Sequence, residues 1–256
     1  MRIIKLLQLA LILFFLHCTN TTNSNSPKIT RGNIDFHSWN FSKQGNVKLN
    51  GEWFFFPNKI LKTEEILEAF FKEDRAFYWE FMGGELKKIP GEWNEYTNPT
   101  TKEKMGGSGF ASYVISVKNI NFEGPTGLEI KEEGTAYEFF ICVKKPNPSC
   151  NLISKNGIVG KSRTSSVPQI FHTTNLLPKL PEDSIFVMNI SNFHHREGGF
   201  WEEITIGDFL SLIRIKDYRA SISFISLGII LVMGFYHLGL FSQRREDKAS
   251  LFFSLF

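Results

Sequence analysis

The densest group of polar side chains lies in the run 191–201, Ser-Asn-Phe-His-His-Arg-Glu-Gly-Gly-Phe-Trp. His194 and His195 are metal-binding types, but neighbours on an extended strand point to opposite faces, so one ion would not easily take both. We therefore predict no metal site. The plain interpretation is a loop shaped by Gly198 and Gly199. The alternative is ligand recognition, or a loop facing a membrane, with these side chains as candidate contacts: His194, His195, Arg196 and Trp201.

A second candidate lies in Ile89-Pro90-Gly91-Glu92-Trp93. Aromatic faces stack on the C–H surfaces of sugars, and nearby polar groups bind hydroxyls. Trp93 is therefore either a packing residue at an edge of the fold or a platform for a sugar. Under the second interpretation its polar neighbours are candidate contacts: Asn94, Glu95 and Tyr96.

Catalytic patterns are absent from the sequence. It contains no H-E-x-x-H, C-x-x-C, P-loop or G-x-S-x-G motif. Its many carboxylates could supply a glycosidase pair, but nothing in their spacing selects two of them. We predict no catalytic residue, no cofactor and no enzymatic activity. A net charge of +3 without a basic stripe also argues against a nucleic-acid partner.

The three cysteines are Cys18, Cys142 and Cys150. The latter two flank the turn-rich stretch 143–149, so two strands of a hairpin could bring them together. A disulfide there is compatible with a location outside the cytoplasm, and two free thiols, one of them buried, are the alternative.

Residues 1–18 have a basic start and a short apolar run, which predicts an export signal. Cys18 resembles the lipid-acceptor cysteine of bacterial lipoproteins, although His17 departs from the small residue usual before it. Ordinary cleavage nearby or an uncleaved anchor are the alternatives. The polar run that follows predicts a flexible tether, and we assign 19–44 to the tether and lead-in.

Residues 220–241 contain no Asp, Glu, Lys or Arg and are long enough to cross the roughly 30 Å hydrocarbon core as a helix. Basic residues lie on both sides, so the export signal decides the orientation: the N-terminal side outside and Arg244 cytoplasmic. We interpret 242–248 as a cytoplasmic turn and 249–256 as the start of a second membrane helix. Eight residues cannot span, so we expect a fragment or a truncated gene product.

Between tether and membrane, short β-type runs recur between turn residues, for example 51–56, 110–117, 127–131, 136–143, 185–190 and 203–206. Several alternate in polarity, as a strand with one dry face does. One short helix is predicted at 63–72. The fold class is therefore mainly β, with a β-sandwich over 45–213 followed by a transmembrane helix.

Three motifs resemble the galactose-binding-like jelly roll, in the usual order. They are L-x-G-x-W-x-F at 49–55, whose Trp53 we expect in the core, v-P-G-x-W at 89–93, and a Gly-rich entry to a strand at 106–113. The closing N-x-x-x-x-x-G-G turn at 192–199 and the run 227–253 resemble the seven-transmembrane receptors with diverse intracellular signalling modules. The resemblance covers roughly residues 45 to 256.

This resemblance implies an extracytoplasmic sensor in the inner membrane, with the output module missing from this chain. Its expected partners are the bilayer and a carbohydrate or other small ligand, and a homodimer is compatible with it. A membrane-tethered carbohydrate-binding or adhesive module without signalling is the main alternative. A surface glycoside hydrolase fragment is the third.

Overall fold

A computed structural model describes residues 26–97, 102–120, 124–131, 133, 135–246 and 248–255. The predicted signal 1–18, Cys18 and the start of the tether lie outside the described residues. The strands are β1 (Asn33–Asp35), β2 (Val47–Lys48), β3 (Gly51–Pro57), β4 (Glu85–Ile89), β5 (Gly91–Glu92), β6 (Gly109–Lys118), β7 (Thr126–Ile130), β8 (Ala136–Val143), β9 (Ser149–Asn156), β10 (Thr173–Leu176), β11 (Asp183–Asn192), β12 (Gly199–Phe200) and β13 (Ile204–Asp208). The helices are α1 (Phe41–Gln44), α2 (Thr63–Glu68), α3 (Arg75–Phe81), α4 (Phe209–Gln243) and α5 (Lys248–Leu255).

Two sheets form the sandwich. The larger has the order β4-β3-β6-β11-β8-β9, and β1 adds to β6 in parallel. The smaller has the order β10-β7-β13-β2. The central pair β6 and β11 runs antiparallel over the whole length of both strands, from Asp183 opposite Lys118 to Asn192 opposite Gly109. β5 and β12 make a separate two-stranded ribbon.

β3 explains how the larger sheet is covered on both faces. Trp53 and Phe55 point into the core between the sheets, whereas Phe54 and Phe56 point to the other face, under α2 and α3. Successive side chains of a strand alternate between faces, so an uninterrupted aromatic run requires cover on both sides. Trp53 is completely buried and packs edge-on against Phe200, with ring centroids 5.3 Å apart, which confirms its expected place in the core.

The predicted fold class is confirmed: the chain is mainly β, a sandwich followed by a long apolar helix. The sandwich begins earlier than residue 45, however. Ile29 and Ile34 are buried in the core, β1 pairs with β6, and Trp39 donates from Nε1 to the carbonyl of Gly45. Apolar side chains spaced along 29–41 bury against the sheets, so this part of the predicted lead-in belongs to the folded domain.

The C-terminal helix α4 is 35 residues long and begins directly after β13, ahead of the predicted domain end at 213. It is the one helix among the described residues that is long and apolar enough to cross a membrane, and its apolar segment is not buried against the rest of the chain. α5 folds back against it, with the rings of His237 and Phe253 stacked 5.5 Å apart. A helical hairpin therefore follows the sandwich.

Candidate functional site

The two sequence candidates meet at one end of the sandwich. The ribbon pairs Gly199 with Glu92 and Phe200 with Gly91, so the segment after Ile89 lies beside the segment after Asn192. The main-chain N–H of Trp93 donates to the carbonyl of Gly198 over 2.9 Å. Residues more than a hundred positions apart thus form one surface, which we call the ribbon site: residues 91–97, 104–109 and 192–201.

Asn192 organises the loop of the ribbon site. Its side-chain Nδ2 donates to the carbonyls of Gly107, His195 and Glu197 over 2.8 to 2.9 Å. Its Oδ1 accepts from the backbone N–H groups of His194 and His195. The side chain is only 2% exposed, so these bonds satisfy backbone groups that water would reach poorly.

Asn94 joins the two segments through its amide. Oδ1 accepts from the N–H of Gly198 at 2.9 Å, and Nδ2 donates to the carbonyl of Arg196 at 3.1 Å. The approach is so close that a Cβ on Gly198 would lie 2.2 Å from the indole Nε1 of Trp93, and one on Gly107 would lie 1.9 Å from the carbonyl oxygen of Arg196. Only glycine fits at both positions.

Trp93 is a packing residue, which is the first of its two interpretations from the sequence, and its burial argues against the alternative of a sugar platform. Its side chain is 0% exposed, its Nε1 donates to the carbonyl of Gly107, and its ring lies 6.2 Å from that of Phe55. The close contact with Gly198 covers the indole, so its face is not accessible to a ligand. Asn94 is also engaged by backbone groups.

Glu92, Glu95 and Lys104 of the ribbon site are exposed, and a further group of exposed side chains lies in its 194–201 segment. His194, His195 and Arg196 are exposed, and Trp201 is half-buried, with its ring centroid 4.7 Å from that of His195. His194 lies 3.2 Å from the carbonyl of Ser166, and the guanidinium of Arg196 pairs with Glu197.

Tyr96 is half-buried against Phe55, with its ring under the Lys87 ammonium, and burial raises the pKa of its hydroxyl. Among the described residues no group of three or more His, Cys, Asp or Glu side chains is arranged as metal ligands.

Glu133 lies beneath the ribbon site, and no sequence pattern indicated it as a functional residue. Its Oε2 accepts from the N–H groups of Trp201 and Glu202 at 2.8 and 3.4 Å. Its Oε1 and the indole Nε1 of Trp201 have no hydrogen-bond partner among the described residues. Burial raises the pKa of Glu133 to about 8, so the group is mostly protonated at neutral pH. In the sequence it stands among charged residues that read as a solvated turn.

The predicted disulfide pair lies away from the ribbon site. Cys142 on β8 faces Cys150 on β9 across the hairpin, and their sulfurs are bonded. The bridge therefore closes the outer edge of the larger sheet and takes no part in the ribbon site.

Comparison with protein-family models found no match, and comparison with curated proteins found none either. Solved structures with limited similarity include the GH2 β-galacturonidase from Eisenbergiella tayi bound to galacturonate, at 12% identity and a TM-score of 0.37. The β-glucuronidases of Ruminococcus gnavus and of an uncultured Clostridium sp. have 10% and 9% identity, each at a TM-score of 0.39. These values assign neither a family nor an activity.

The matches cover 63% to 64% of this chain and only 24% to 28% of those enzymes. The chain thus corresponds to about a quarter of their length.

Proposed function

We propose that the chain is the extracytoplasmic ligand-sensing part of a membrane receptor, in which the sandwich is joined rigidly to a membrane-spanning helix. The observation that carries this proposal is the join itself. β13 ends at Asp208 and α4 begins at Phe209, with no linker between them. A displacement in the smaller sheet would therefore reach the apolar segment through one continuous helix.

Side-chain contacts support the rigidity of this join. Asp208 caps α4 by accepting from the N–H of Ser211 at 2.8 Å, and Asn46 accepts from the N–H of Asp208 at 3.2 Å. Leu212 is 1% exposed and packs where Gly127 leaves room on β7. The first turns of α4 are thus part of the sandwich and the remainder extends from it.

The resemblance to seven-transmembrane receptors supplies the signalling part of the proposal. The alternative, a tethered adhesive module without signalling, needs only an anchor, and a flexible linker would serve it as well. The direct connection favours the receptor. A ligand shifts a conformational equilibrium only if it binds the two states with different affinity. A rigid join would then transmit the conformational difference from the sandwich to the membrane helix.

We place ligand recognition, with carbohydrate as the first class to test, on the exposed part of the ribbon site. Trp201 and His195 supply a partly open aromatic pair, and the exposed guanidinium of Arg196, which pairs with Glu197, lies in the same segment. A panel of immobilised glycans tests this with the full chain in detergent. We expect binding that falls about fivefold or more in Trp201→Ala and in His195→Ala, since a stacked aromatic contributes about 1 kcal/mol or more.

His37→Ala is the matched control, because His37 is an exposed histidine outside the ribbon site. Equal binding by all these variants would remove recognition from the ribbon site. Sugar release from the glycans by the purified chain would contradict the proposal that this chain has no catalytic role.

Coupling needs a separate measurement on the helix. A spin label at a cysteine replacing Ser223 would report changes in the environment of α4 when a bound glycan is added. We expect a spectral change in the parent chain and none after insertion of Gly-Ser-Gly between Asp208 and Phe209, although that variant still binds. Glycan binding without any spectral change in the parent chain would favour the tethered module.

A further inference from the structure

A cleft separate from the ribbon site lies between the smaller sheet and the beginning of α4. Its volume is about 690 Å³, and the side chains that matter here are Lys131, His172, Glu202, Lys216, Arg219 and Ser223. We call it the helix cleft. Lys131 and Glu202 come from the sandwich, whereas Lys216, Arg219 and Ser223 come from one face of the helix.

The helix cleft has more permanent cations than available carboxylates. Lys131 is ion-paired with Glu202 at 3.3 Å and with Glu203 at 3.9 Å, and Glu203 also pairs with Lys48. Glu129 at the floor is 3% exposed and already has two partners, His172 at 3.0 Å and Arg219 at 3.9 Å. Lys216 has no ion pair among the described residues. The cleft therefore offers an uncompensated cation to an anion.

The position of the cleft on the helix indicates where that anion comes from. Arg219 is the last charged residue before the uncharged segment 220–241, and Ser223 is one turn inside that segment. The cleft therefore straddles the boundary between the polar and the apolar part of α4. If the apolar part spans a bilayer, this boundary lies at the level of the lipid phosphates.

Two exposed apolar side chains of the sandwich lie next to the helix cleft in the chain. Ile170 and Phe171 immediately precede His172, and they are 60% and 58% exposed. Exposed apolar side chains beside basic groups are typical of surfaces that enter the headgroup region of a membrane. The cleft supplies the basic groups, and the segment that leads into it at His172 supplies the exposed apolar side chains.

We propose that the helix cleft binds the phosphate of an anionic phospholipid headgroup, with Lys216 and Arg219 as the principal contacts. The site rests on the proposed membrane crossing of α4. Bound lipid would fix the first turns of the helix against β7 and β10, so the lipid composition of the membrane would stabilise this junction.

The test uses the full chain in nanodiscs of phosphatidylcholine, with or without phosphatidylglycerol, and measures hydrogen exchange of the β10 backbone. We expect exchange about thirtyfold slower with phosphatidylglycerol, since each of the two cations near an anionic surface contributes roughly 1 kcal/mol. The double variant Lys216→Gln/Arg219→Gln should lose this protection. Arg244→Gln/Arg245→Gln, which removes two cations beyond the other end of the apolar segment, should keep it.

Full protection in the Lys216→Gln/Arg219→Gln chain would overturn the site. So would equal protection from inorganic phosphate in phosphatidylcholine discs, because the ligand would then be the free anion. Equal melting temperatures of parent and double variant in phosphatidylcholine discs show that the variant is folded. Release of the chain from membranes by alkali would instead overturn the membrane crossing. A chain that resists alkali but does not respond to phosphatidylglycerol would overturn the lipid site alone.

Discussion

At the residue scale, Glu133 is an acid whose environment favours its protonated form. The carboxyl is completely buried, and its largest influence is desolvation, which opposes the charged form more than two backbone N–H groups support it. The pKa therefore rises from 4.5 to about 8 on folding. A protonated carboxyl beside the backbone of Trp201 fixes the floor of the ribbon site without introducing charge into the core.

The raised pKa predicts how stability depends on pH. Between the unfolded pKa of 4.5 and the folded value of about 8, the folded chain binds the extra proton, so its free energy of unfolding falls as the pH rises. We expect a loss on the order of 4 kcal/mol between pH 5 and pH 9, which lowers the melting temperature by about 8–16 °C. Thermal unfolding followed by circular dichroism in detergent measures it.

Glu133→Gln should remove most of that pH dependence, because an amide keeps an acceptor for the N–H of Trp201 and does not ionise. Glu92→Gln on β5 is the control, since it removes an exposed carboxyl and should leave the slope unchanged. Identical pH profiles for the parent and Glu133→Gln would show that another group is responsible.

Sequence patterns located the ribbon site but not the exposure of its side chains. The P-G-x-W motif and the Gly-Gly turn predicted Trp93 and Trp201 as candidates, and the structure brings their segments together. The burial of Trp93 depends on the approach of Gly198, which is a contact between distant segments. No pattern local to either segment contains that information. Glu133 was missed for the same reason, since its burial depends on the distant segment of Trp201 and Glu202, whose backbone N–H groups donate to it.

At the element scale, the strands that pattern analysis predicted are those with a buried face. β6, β8 and β11 are rich in β-branched and aromatic residues, and the predicted runs coincide with them. β9 and β10 were missed because they lie at sheet edges and most of their residues are polar. α3 is only seven residues long, too short for a helical period, and it is fixed by the packing of Tyr78 and Trp79.

The docking of α4 on the sandwich gives the prediction at this scale. Leu212 is buried and Leu210 is 51% exposed, so the same truncation has different consequences two positions apart. Leu212→Ala should cost about 2–4 kcal/mol of docking free energy, because it leaves a cavity next to Gly127. Hydrogen exchange of residues 209–219 should become faster, with β11 unaffected. Leu210→Ala should change neither the docking free energy nor the hydrogen exchange of residues 209–219. Equal effects of the two variants would contradict a docked first turn.

At the scale of the whole molecule, the disulfide and the apolar helix are both compatible with a sandwich that lies outside the cytoplasm. A bridge between Cys142 and Cys150 persists in oxidising compartments, and an export signal would deliver the sandwich to one. Under the proposed topology the sandwich and the first turns of α4 would lie on the outer side, and Arg244 would lie on the inner side. The proposed receptor depends on this topology. The oxidation state of Cys142 and Cys150 in cells provides a test of it.

Thiol trapping in cells tests that topology. Labelling is done under denaturing conditions, because Cys142 is completely buried in the folded chain. In a Cys18→Ser background the two remaining cysteines should then resist a polyethylene-glycol maleimide until a reductant is added, because the exported chain forms the bridge. A chain that starts at Ser26, without the predicted signal, should stay on the cytoplasmic side and react at both thiols without reduction. Separation of the modified chains by gel electrophoresis gives zero or two mass shifts. Two shifts from the chain that retains residues 1–25, without reductant, would place the sandwich in the cytoplasm and exclude an extracytoplasmic sensor.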